Sequence, residues 1–188
     1  MSKILNRIFF NKFKVKKLIT TTDFSSIYEG INEKENEPVA MKFERKGGRY
    51  NFLESEAYFL FNLKGFGIPK IITFGKCGIY NILIEELLGP SINSIFELKK
   101  HKFLIKDICM LGIQILDRLE FIHSKDVIHR DIKPLNFIIG RKDPKNIYII
   151  DFSFAHKYRS SRTGKHIQFK NTGLLLGSLK YLSINANY

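Results

Sequence analysis

The sequence predicts an α+β fold with two lobes, a β-rich first half and a mainly helical second half. Three observations support this: strand-like patterns dominate residues 13–43, a long amphipathic helix is indicated at 103–124, and ELLGPS at 86–91 indicates a hinge between the halves. A chain of 188 residues is long enough for one domain with a substantial core. Two lobes of this kind leave room for a ligand cleft between them.

The first half alternates, or runs apolar, in the way that strands do. FKVKKLI, SIYEGI and PVAMKFE are rich in β-branched or apolar residues, and polar stretches such as NEKENE at 32–37 separate them. From 51 to 63 the pattern becomes helical, with Phe52, Phe59 and Leu63 at compatible spacing. PKIITFG and YNILIEEL then predict two more strands.

One helix dominates the second half. Apolar residues recur through 103–124 at steps of four, three, four, four and three, which places them on one stripe of an α-helix. Two short strands are predicted to follow, at 137–139 and 147–150. The residues of the stripe are Leu104, Ile108, Leu111, Ile115, Leu119 and Ile122.

Lysine and arginine outnumber aspartate and glutamate by 31 to 18, which gives a net charge of +13. This charge favours polyanionic partners such as nucleic acid, acidic protein segments or anionic membrane, although a lysine-rich composition with solvated side chains gives the same total. We find no nucleic-acid-binding motif and rank that class of partner last. The charge is unevenly distributed, because no carboxylate side chain follows Asp151.

Cysteine and histidine usage indicates neither a disulfide framework nor a metal cage. Cys77 and Cys109 lie far apart outside any redox or metal motif, and the five histidines show no ligand spacing. We therefore expect reduced thiols and a cytoplasmic or nuclear location. No apolar run reaches the ~18 residues of a membrane span, and no secretory signal is predicted.

The stretch VIHRDIKPLNFII, residues 127–139, sets five polar side chains between apolar flanks. It lies between the long helix and a short strand, so it is a loop that either lines a cleft or forms an ordinary exposed turn. Upstream, VAMK puts Lys42 at the end of a strand, and downstream, IIDFS ends a strand at Asp151. In order, these motifs match the protein-kinase signature V-A-x-K, a helix glutamate, H-R-D-x-x-x-x-N and D-F-x.

Longer stretches make the resemblance more specific. GIPKI, YNILIEELLGPSI and YIIDFSFAHKYR, together with a threonine at 163, HI at 166 and SIN at 183, resemble the casein kinase I family of serine/threonine protein kinases. The likeness covers nearly the whole chain.

This resemblance implies a bilobal protein-kinase-like fold and an activity. We expect an N-terminal extension at 1–10 and a kinase-like domain at 11–188, with an N-lobe at about 11–87 and a partial, mainly helical C-lobe at about 88–188. The family transfers the γ-phosphoryl group of ATP, with Mg²⁺, to serine or threonine of acidic or already phosphorylated proteins.

The catalytic residues follow from the matching motif positions. By resemblance, Asp131 orients the substrate hydroxyl and accepts its proton, and Lys133 neutralises the moving phosphoryl group. Asn136 belongs to the same catalytic loop, and its amide oxygen and the Asp151 carboxylate are expected to hold Mg²⁺.

The resemblance also implies a nucleotide site. Lys42 would hold the α- and β-phosphates, and Glu54 would hold Lys42. Glu56 is the weaker choice in this interpretation, because two residues along a helix turn a side chain to another face. Adenine would lie among apolar side chains and the backbone of two hinge residues. The apolar residues are Ile19, Ile27, Ala40, Ile138 and Ile150, and the hinge residues are Glu86 and Leu88.

The chain departs from the family pattern at several positions. Thr20, Thr22 and Ser25 stand where the phosphate-covering loop has glycines, so we expect a weak hold on the phosphates. Ser153 replaces the glycine of D-F-G, a mild change. Glu85 precedes the hinge where an apolar residue is usual, and a buried carboxylate there must be paired, hydrated or protonated, with Lys42 as one partner.

Two features widen the range of functions. Arg130, His156 and Lys180 stand where the family has an anion pocket, with Lys180 in place of an arginine. A kinase domain is longer than a chain that ends at Tyr188, so we expect an incomplete C-lobe with apolar side chains facing water. The alternative to an active kinase is therefore a pseudokinase or fragment that acts as a protein-binding module.

Overall fold

The computed structural model describes residues 4–48, 50–168 and 176–184. By its contacts the chain divides into two compact units, Met1–Asn62 with Pro69–Leu88, and Leu63–Ile68 with Gly89–Tyr188. No helix within the described ranges is long and apolar enough to cross a membrane.

The first unit is a six-stranded antiparallel sheet with one helix. Its strands are β1 (Ile8–Phe9), β2 (Phe13–Thr21), β3 (Ser25–Asn32), β4 (Glu37–Arg45), β5 (Ile71–Cys77) and β6 (Tyr80–Glu86), and its helix is α1 (Phe52–Asn62). The strand order is β1-β2-β3-β4-β6-β5, so four chain neighbours pair in sequence and the last two pair with their order reversed. The strands predicted from the sequence overlap β2 to β6.

One face of this sheet carries the core of the unit. Tyr28 lies opposite Met41, which lies opposite Ile84, and alternate residues of a strand point to the same face. The segment before β2 covers this face, because Ile4 and Phe9 are buried in the same cluster. Residues 4–10, which we set apart as an extension, therefore contribute to the core. The full cluster is Ile4, Phe9, Phe13, Val15, Tyr28, Val39, Met41, Phe43, Ile82 and Ile84.

Helix α1 contacts β4, β5 and β6. Its buried residues are Leu53, Glu56, Ala57, Phe59 and Leu60. The predicted stripe of Phe52, Phe59 and Leu63 was therefore only partly correct, and the true stripe contains a charged residue.

The second unit contains two α-helices and two short strand pairs among its described residues. Its elements are α2 (Ile92–Leu98), α3 (Ile105–Ser124), β7 (Val127–Ile128), β8 (Phe137–Ile139), β9 (Ile147–Ile149) and β10 (His156–Lys157). Strand β8 pairs with β9, and β7 pairs with β10, both antiparallel. Ser91 caps the start of α2, because its hydroxyl accepts the Ser94 amide at 3.0 Å.

Arg118 anchors α3 against the rest of this unit. Its Nε donates to the Ile147 carbonyl oxygen at 3.0 Å, and its guanidinium lies 4.5 Å from the centre of the Phe66 ring. Gly67 (φ +77°) lies so close that a Cβ there would overlap the Arg118 side chain. The close packing of α3 thus depends on a glycine in a conformation that other residues rarely adopt.

The apolar stripe of α3 is buried only towards the end of the helix. Ile122 is fully buried, whereas Leu104 and Ile108 at the start are exposed. Ile105 is 81% exposed and Leu116 is 67% exposed. This agrees with the expectation that apolar side chains of this helix face water.

The contribution of the N-terminal segment can be measured at Phe9. We predict that Phe9→Ala destabilises the chain by about 3 kcal/mol or more, because it removes a large side chain that is only 7% exposed from the core. The free energy of unfolding in urea would measure the loss. Phe10→Ala is the matched control, since that ring is 36% exposed and lies outside the core cluster. Equal losses of unfolding free energy in the two variants would contradict the conclusion that Phe9 belongs to the core.

Candidate active site

The loop that carries the HRD motif is held at both ends by backbone pairing. Ile128 of β7 lies opposite His156, and the loop ends in a short turn at Pro134–Asn136 that leads into β8. Arg130 adopts a left-handed conformation with φ +66°. Such strained backbone persists only where the surroundings determine it, as at active sites.

His129 connects this loop to the strand that precedes Asp151. Its Nδ1 accepts the Asp131 amide at 3.3 Å, and its Nε2 lies 2.9 Å from the Ile150 carbonyl oxygen. An acceptor Nδ1 and a donor Nε2 define the neutral imidazole. Burial lowers the pKa of His129, which favours that neutral form. The role of His129 is therefore to hold the two segments together and not to transfer a proton.

Asp131 is buried and accepts several hydrogen bonds. Its Oδ2 accepts Lys133 Nζ at 2.6 Å and Asn136 Nδ2 at 3.0 Å, and its Oδ1 accepts the Ser178 amide at 3.0 Å. Burial alone raises the pKa of Asp131, but the bonds from Lys133, Ser178 and Asn136 outweigh it and bring the pKa below its ordinary value. The carboxylate is thus kept ionised, aligned and ready to accept a further donor.

Lys133 completes this cluster, because its Nζ also donates to the Ser178 hydroxyl at 2.9 Å. Ser178 was not among the predicted site residues. No local sequence pattern marks a serine in a loop. The neighbouring Gly177 (φ +103°) lies so close to Arg130 that a Cβ at position 177 would lie 2.7 Å from the Arg130 carbonyl oxygen.

Asn136 and Asp151 offer the oxygen ligands that Mg²⁺ prefers. The Asn136 amide nitrogen donates to the Asp131 carbonyl oxygen at 2.8 Å, which leaves the amide oxygen as the atom available to a metal. The Ile150 amide donates to the Asn136 carbonyl oxygen at 3.0 Å, so Asp151 directly follows a residue bonded to Asn136. This donor set fits Mg²⁺, which is usually bound by one or two protein oxygens together with phosphate oxygens.

The Ser153 substitution is accommodated locally. Asp151 adopts a left-handed conformation with φ +66°, and the Ser153 hydroxyl donates to Asp151 Oδ1. The serine therefore orients the carboxylate, as expected for a mild change.

In the first unit, Lys42 is the centre of a buried ionic cluster. Its Nζ lies 2.6 Å from Glu56 Oε1 and 2.9 Å from Glu85 Oε1, and its side chain is only 5% exposed. Glu85 Oε2 is also buried and has no hydrogen-bond partner among the described residues. The suggested pairing of Glu85 with Lys42 is present.

The prediction that Glu54 holds Lys42 is wrong. The Glu54 side chain is 47% exposed and lies 3.5 Å from Lys76 at the surface. Glu54 and Glu56 point to different faces of α1, as expected from their spacing, but Glu56 lies on the buried face. The sequence contains a pattern that predicts this, because Leu53, Ala57 and Leu60 recur at helical spacing and position 56 lies on the same side of the helix.

The hairpin between β2 and β3 is closed by a side chain. Thr22 Oγ1 accepts the amides of Phe24 at 3.3 Å and Ser25 at 3.0 Å, and the Thr22 amide donates to the Ser25 carbonyl oxygen at 2.8 Å. The amides at the tip of the loop are therefore bonded within the hairpin.

The role of the predicted base-binding residues stays a prediction. Ile27 lies opposite Lys42 and Ala40 lies opposite Glu85, so they share one face of the sheet. Ile19 is half exposed at an irregularity of β2. The amide of Glu86 donates to the Lys70 carbonyl oxygen. Leu88, Ile138 and Ile150 are half-buried.

Two of the predicted anion-pocket residues are brought near each other by the pairing of β7 with β10, because His156 lies opposite Ile128, two residues before Arg130. Arg130 donates to the Phe154 carbonyl oxygen. Burial, followed by the charge of Arg130, lowers the pKa of His156. Lys180 lies over the Tyr181 ring, 5.5 Å from its centre.

We predict that stability falls as the pH falls below about 6.5, in part because of His129. Unfolded histidine takes up a proton near its ordinary pKa of 6.5, whereas buried His129 does so only at lower pH. Between these values the unfolded state binds more protons, so acid favours unfolding. The free energy of unfolding in urea should depend less on pH in His129→Gln. His156 acts in the same direction, so some slope remains. His123→Gln, at the exposed end of α3, is the control variant, and a wild-type slope in His129→Gln would contradict the prediction.

The chain was also compared with models of known protein families. The model of the protein kinase domain matches residues 13–183, which is most of the chain. A strand-rich first part and three α-helices among the described residues are consistent with that domain. The chain therefore belongs to the protein kinase family, whose members are phosphotransferases.

Proposed function

We propose that the chain is a serine/threonine protein kinase of casein kinase I type, which transfers the γ-phosphoryl group of ATP to protein hydroxyls. In this proposal its first unit has the role of the N-lobe and its second unit that of the C-lobe. The observation that carries the proposal is the buried Asp131 carboxylate, aligned by Lys133, Asn136 and Ser178.

Asp131 would act mainly by alignment. A carboxylate with a depressed pKa is a poor proton acceptor for a free hydroxyl, but it is a strong hydrogen-bond acceptor. It would orient the serine or threonine hydroxyl and take the proton late, as the phosphoryl group arrives. Lys133, already beside Asp131, would place its ammonium near the charge that moves.

The proposed phosphate-binding residue lies in the first unit, and the proposed metal ligands lie in the second. Lys42 would bind the α- and β-phosphates, with Glu56 rather than Glu54 as its support. Asp151 and the amide oxygen of Asn136 would hold Mg²⁺, which neutralises phosphate charge when bound. Glu85 adds a second carboxylate beside Lys42 and reduces the positive potential of the lysine, so we expect modest affinity for ATP.

Acidic or already phosphorylated proteins are the proposed substrates. Arg130 and His156 lie close together, and the chain from 152 to 188 contains only basic charged side chains. Arginine and imidazolium groups bind phosphate and carboxylate, and a net charge of +13 attracts such partners over a distance.

The central experiment is Mg-ATP binding by thermal shift together with phosphate transfer to casein. We predict that Asp131→Asn keeps Mg-ATP binding and lowers transfer by about 10²-fold or more, because the aligning carboxylate is lost. Asp126→Asn is the matched control. The Asp126 carboxylate lies near the loop and pairs with Arg159 at the surface. Asparagine tolerates the left-handed backbone conformation of position 126. Equal transfer by wild type and Asp131→Asn would contradict the role. Binding without transfer by the wild type would instead indicate a pseudokinase.

A second prediction concerns the β2–β3 hairpin. Thr22→Gly should tighten Mg-ATP binding roughly tenfold, because the amides of Phe24 and Ser25 are released from the Thr22 hydroxyl and can bind phosphate. The dissociation constant from isothermal titration would measure this. Thr21→Gly makes the neighbouring residue equally flexible while leaving the Thr22 hydroxyl in place. If both variants change affinity alike, the released amides are not the cause.

A further inference from the structure

Glu44 is a buried carboxylate that has no role in the chemistry proposed above. It lies on β4 two residues after Lys42, on the same face of the strand. Burying a carboxylate is costly unless its oxygens accept hydrogen bonds. Its partners should therefore indicate what it does.

Both oxygens of Glu44 have partners in the first unit. Oε1 accepts the Leu53 amide at 3.1 Å, and Oε2 accepts Asn81 Nδ2 at 3.0 Å. Asn81 is itself buried and lies directly opposite Glu44 in the pairing of β4 with β6. The neighbouring strand thus holds the carboxylate in the position that reaches Leu53.

The Leu53 amide belongs to the first turn of α1. The Ser55 amide bonds to the Asn51 carbonyl oxygen, which marks the start of the helix. Amides of a first turn have no partner within the helix, and they form the positive end of its dipole. Glu44 therefore caps α1 from a strand nine residues earlier.

The cap and the ion pair are one helical turn apart. Glu56 lies three positions after Leu53 in α1. Its partner Lys42 lies two positions before Glu44, the partner of Leu53, in β4. The helix is thus attached to the strand at two successive points, and the cap determines which residue of α1 faces Lys42.

We propose that Glu44 is a positioning residue, which fixes the start of α1 and thereby holds Glu56 against Lys42. The role rests on the proposed function in so far as Lys42 binds ATP. Glu44 acts through Glu56 and does not touch the nucleotide. Asn81 supports it by fixing the carboxylate.

The test uses the whole chain, with a removing variant, a conservative variant and a control. Glu44→Leu removes the cap, Glu44→Gln keeps an acceptor oxygen but loses the charge, and Glu54→Gln removes an exposed carboxylate from the same helical turn. Hydrogen exchange of the amides from 53 to 57 reports on the cap without any nucleotide. The dissociation constant for Mg-ATP is measured for Glu44→Leu alone and combined with Glu56→Gln.

For Glu44→Leu we expect faster exchange of these amides by about fivefold or more. Glu44→Gln should show a smaller increase, and Glu54→Gln none. Glu44→Leu should weaken Mg-ATP binding in the wild type but not further in Glu56→Gln, since both changes disable the same support of Lys42.

Unchanged exchange in Glu44→Leu would overturn the inference. Equal weakening of Mg-ATP binding with and without Glu56 would also overturn it, because Glu44 would then act independently of the ion pair. If Glu44→Leu fails to fold, the exchange of Glu44→Gln against Glu54→Gln decides. If the wild type binds no Mg-ATP, the proposed function fails, and the exchange comparison alone decides the role of Glu44.

Discussion

Lys42 is buried with its ammonium against two carboxylates, and the first unit is organised around this cluster. A charge taken out of water costs several kcal/mol unless partners with good geometry surround it. The partners come from different elements, since Lys42 lies on β4, Glu56 on α1 and Glu85 on β6. Satisfying one ammonium therefore joins a helix and two strands. A shift of α1 by one residue would move Glu56 off the buried face and leave the lysine with fewer partners. The same requirement for paired polar groups explains why Glu44 and Asn81 are buried together beside it.

The second unit follows the same rule with a neutral histidine, backbone groups and an ion pair between Lys133 and Asp131. His129 is buried as a neutral ring between the Asp131 amide and the Ile150 carbonyl oxygen, so it joins the HRD loop to the segment between β9 and Asp151. Asp131 then receives donors from Lys133, Asn136 and Ser178. Every one of these bonds orients a group that the proposed chemistry uses. Kinase chemistry needs positioning and charge stabilisation more than it needs a strong base, and a network that keeps an aspartate ionised meets that need.

Elements with strong periodic patterns could be predicted from the sequence. The strands at 13–19, 26–31 and 38–44 overlap β2, β3 and β4, and the helix at 103–124 overlaps α3, because alternation and helical spacing record which side of an element is buried. Very short elements could not be predicted. Strand β1 has two residues and exists only through its pairing with β2, and the seven residues of α2 are too few for a period to emerge. Within α1 the prediction was wrong about which face of the helix is buried against Lys42. Glu54 was chosen as the partner of Lys42, although Phe52, Phe59 and Leu63 recur at a helical spacing that includes position 56, and the buried stripe contains Glu56.

By itself the sequence determined the order of the elements, the protein-kinase motifs and the residue types at Lys42, Asp131, Asn136 and Asp151. These are local or spacing-based properties, which motif and periodicity preserve. Only the tertiary structure decided that Ser178 bonds to Asp131 and that Glu44 caps α1. Those contacts join residues 9 to 47 positions apart. No local pattern encodes such contacts, because they depend on which face of each element is removed from water when the chain folds.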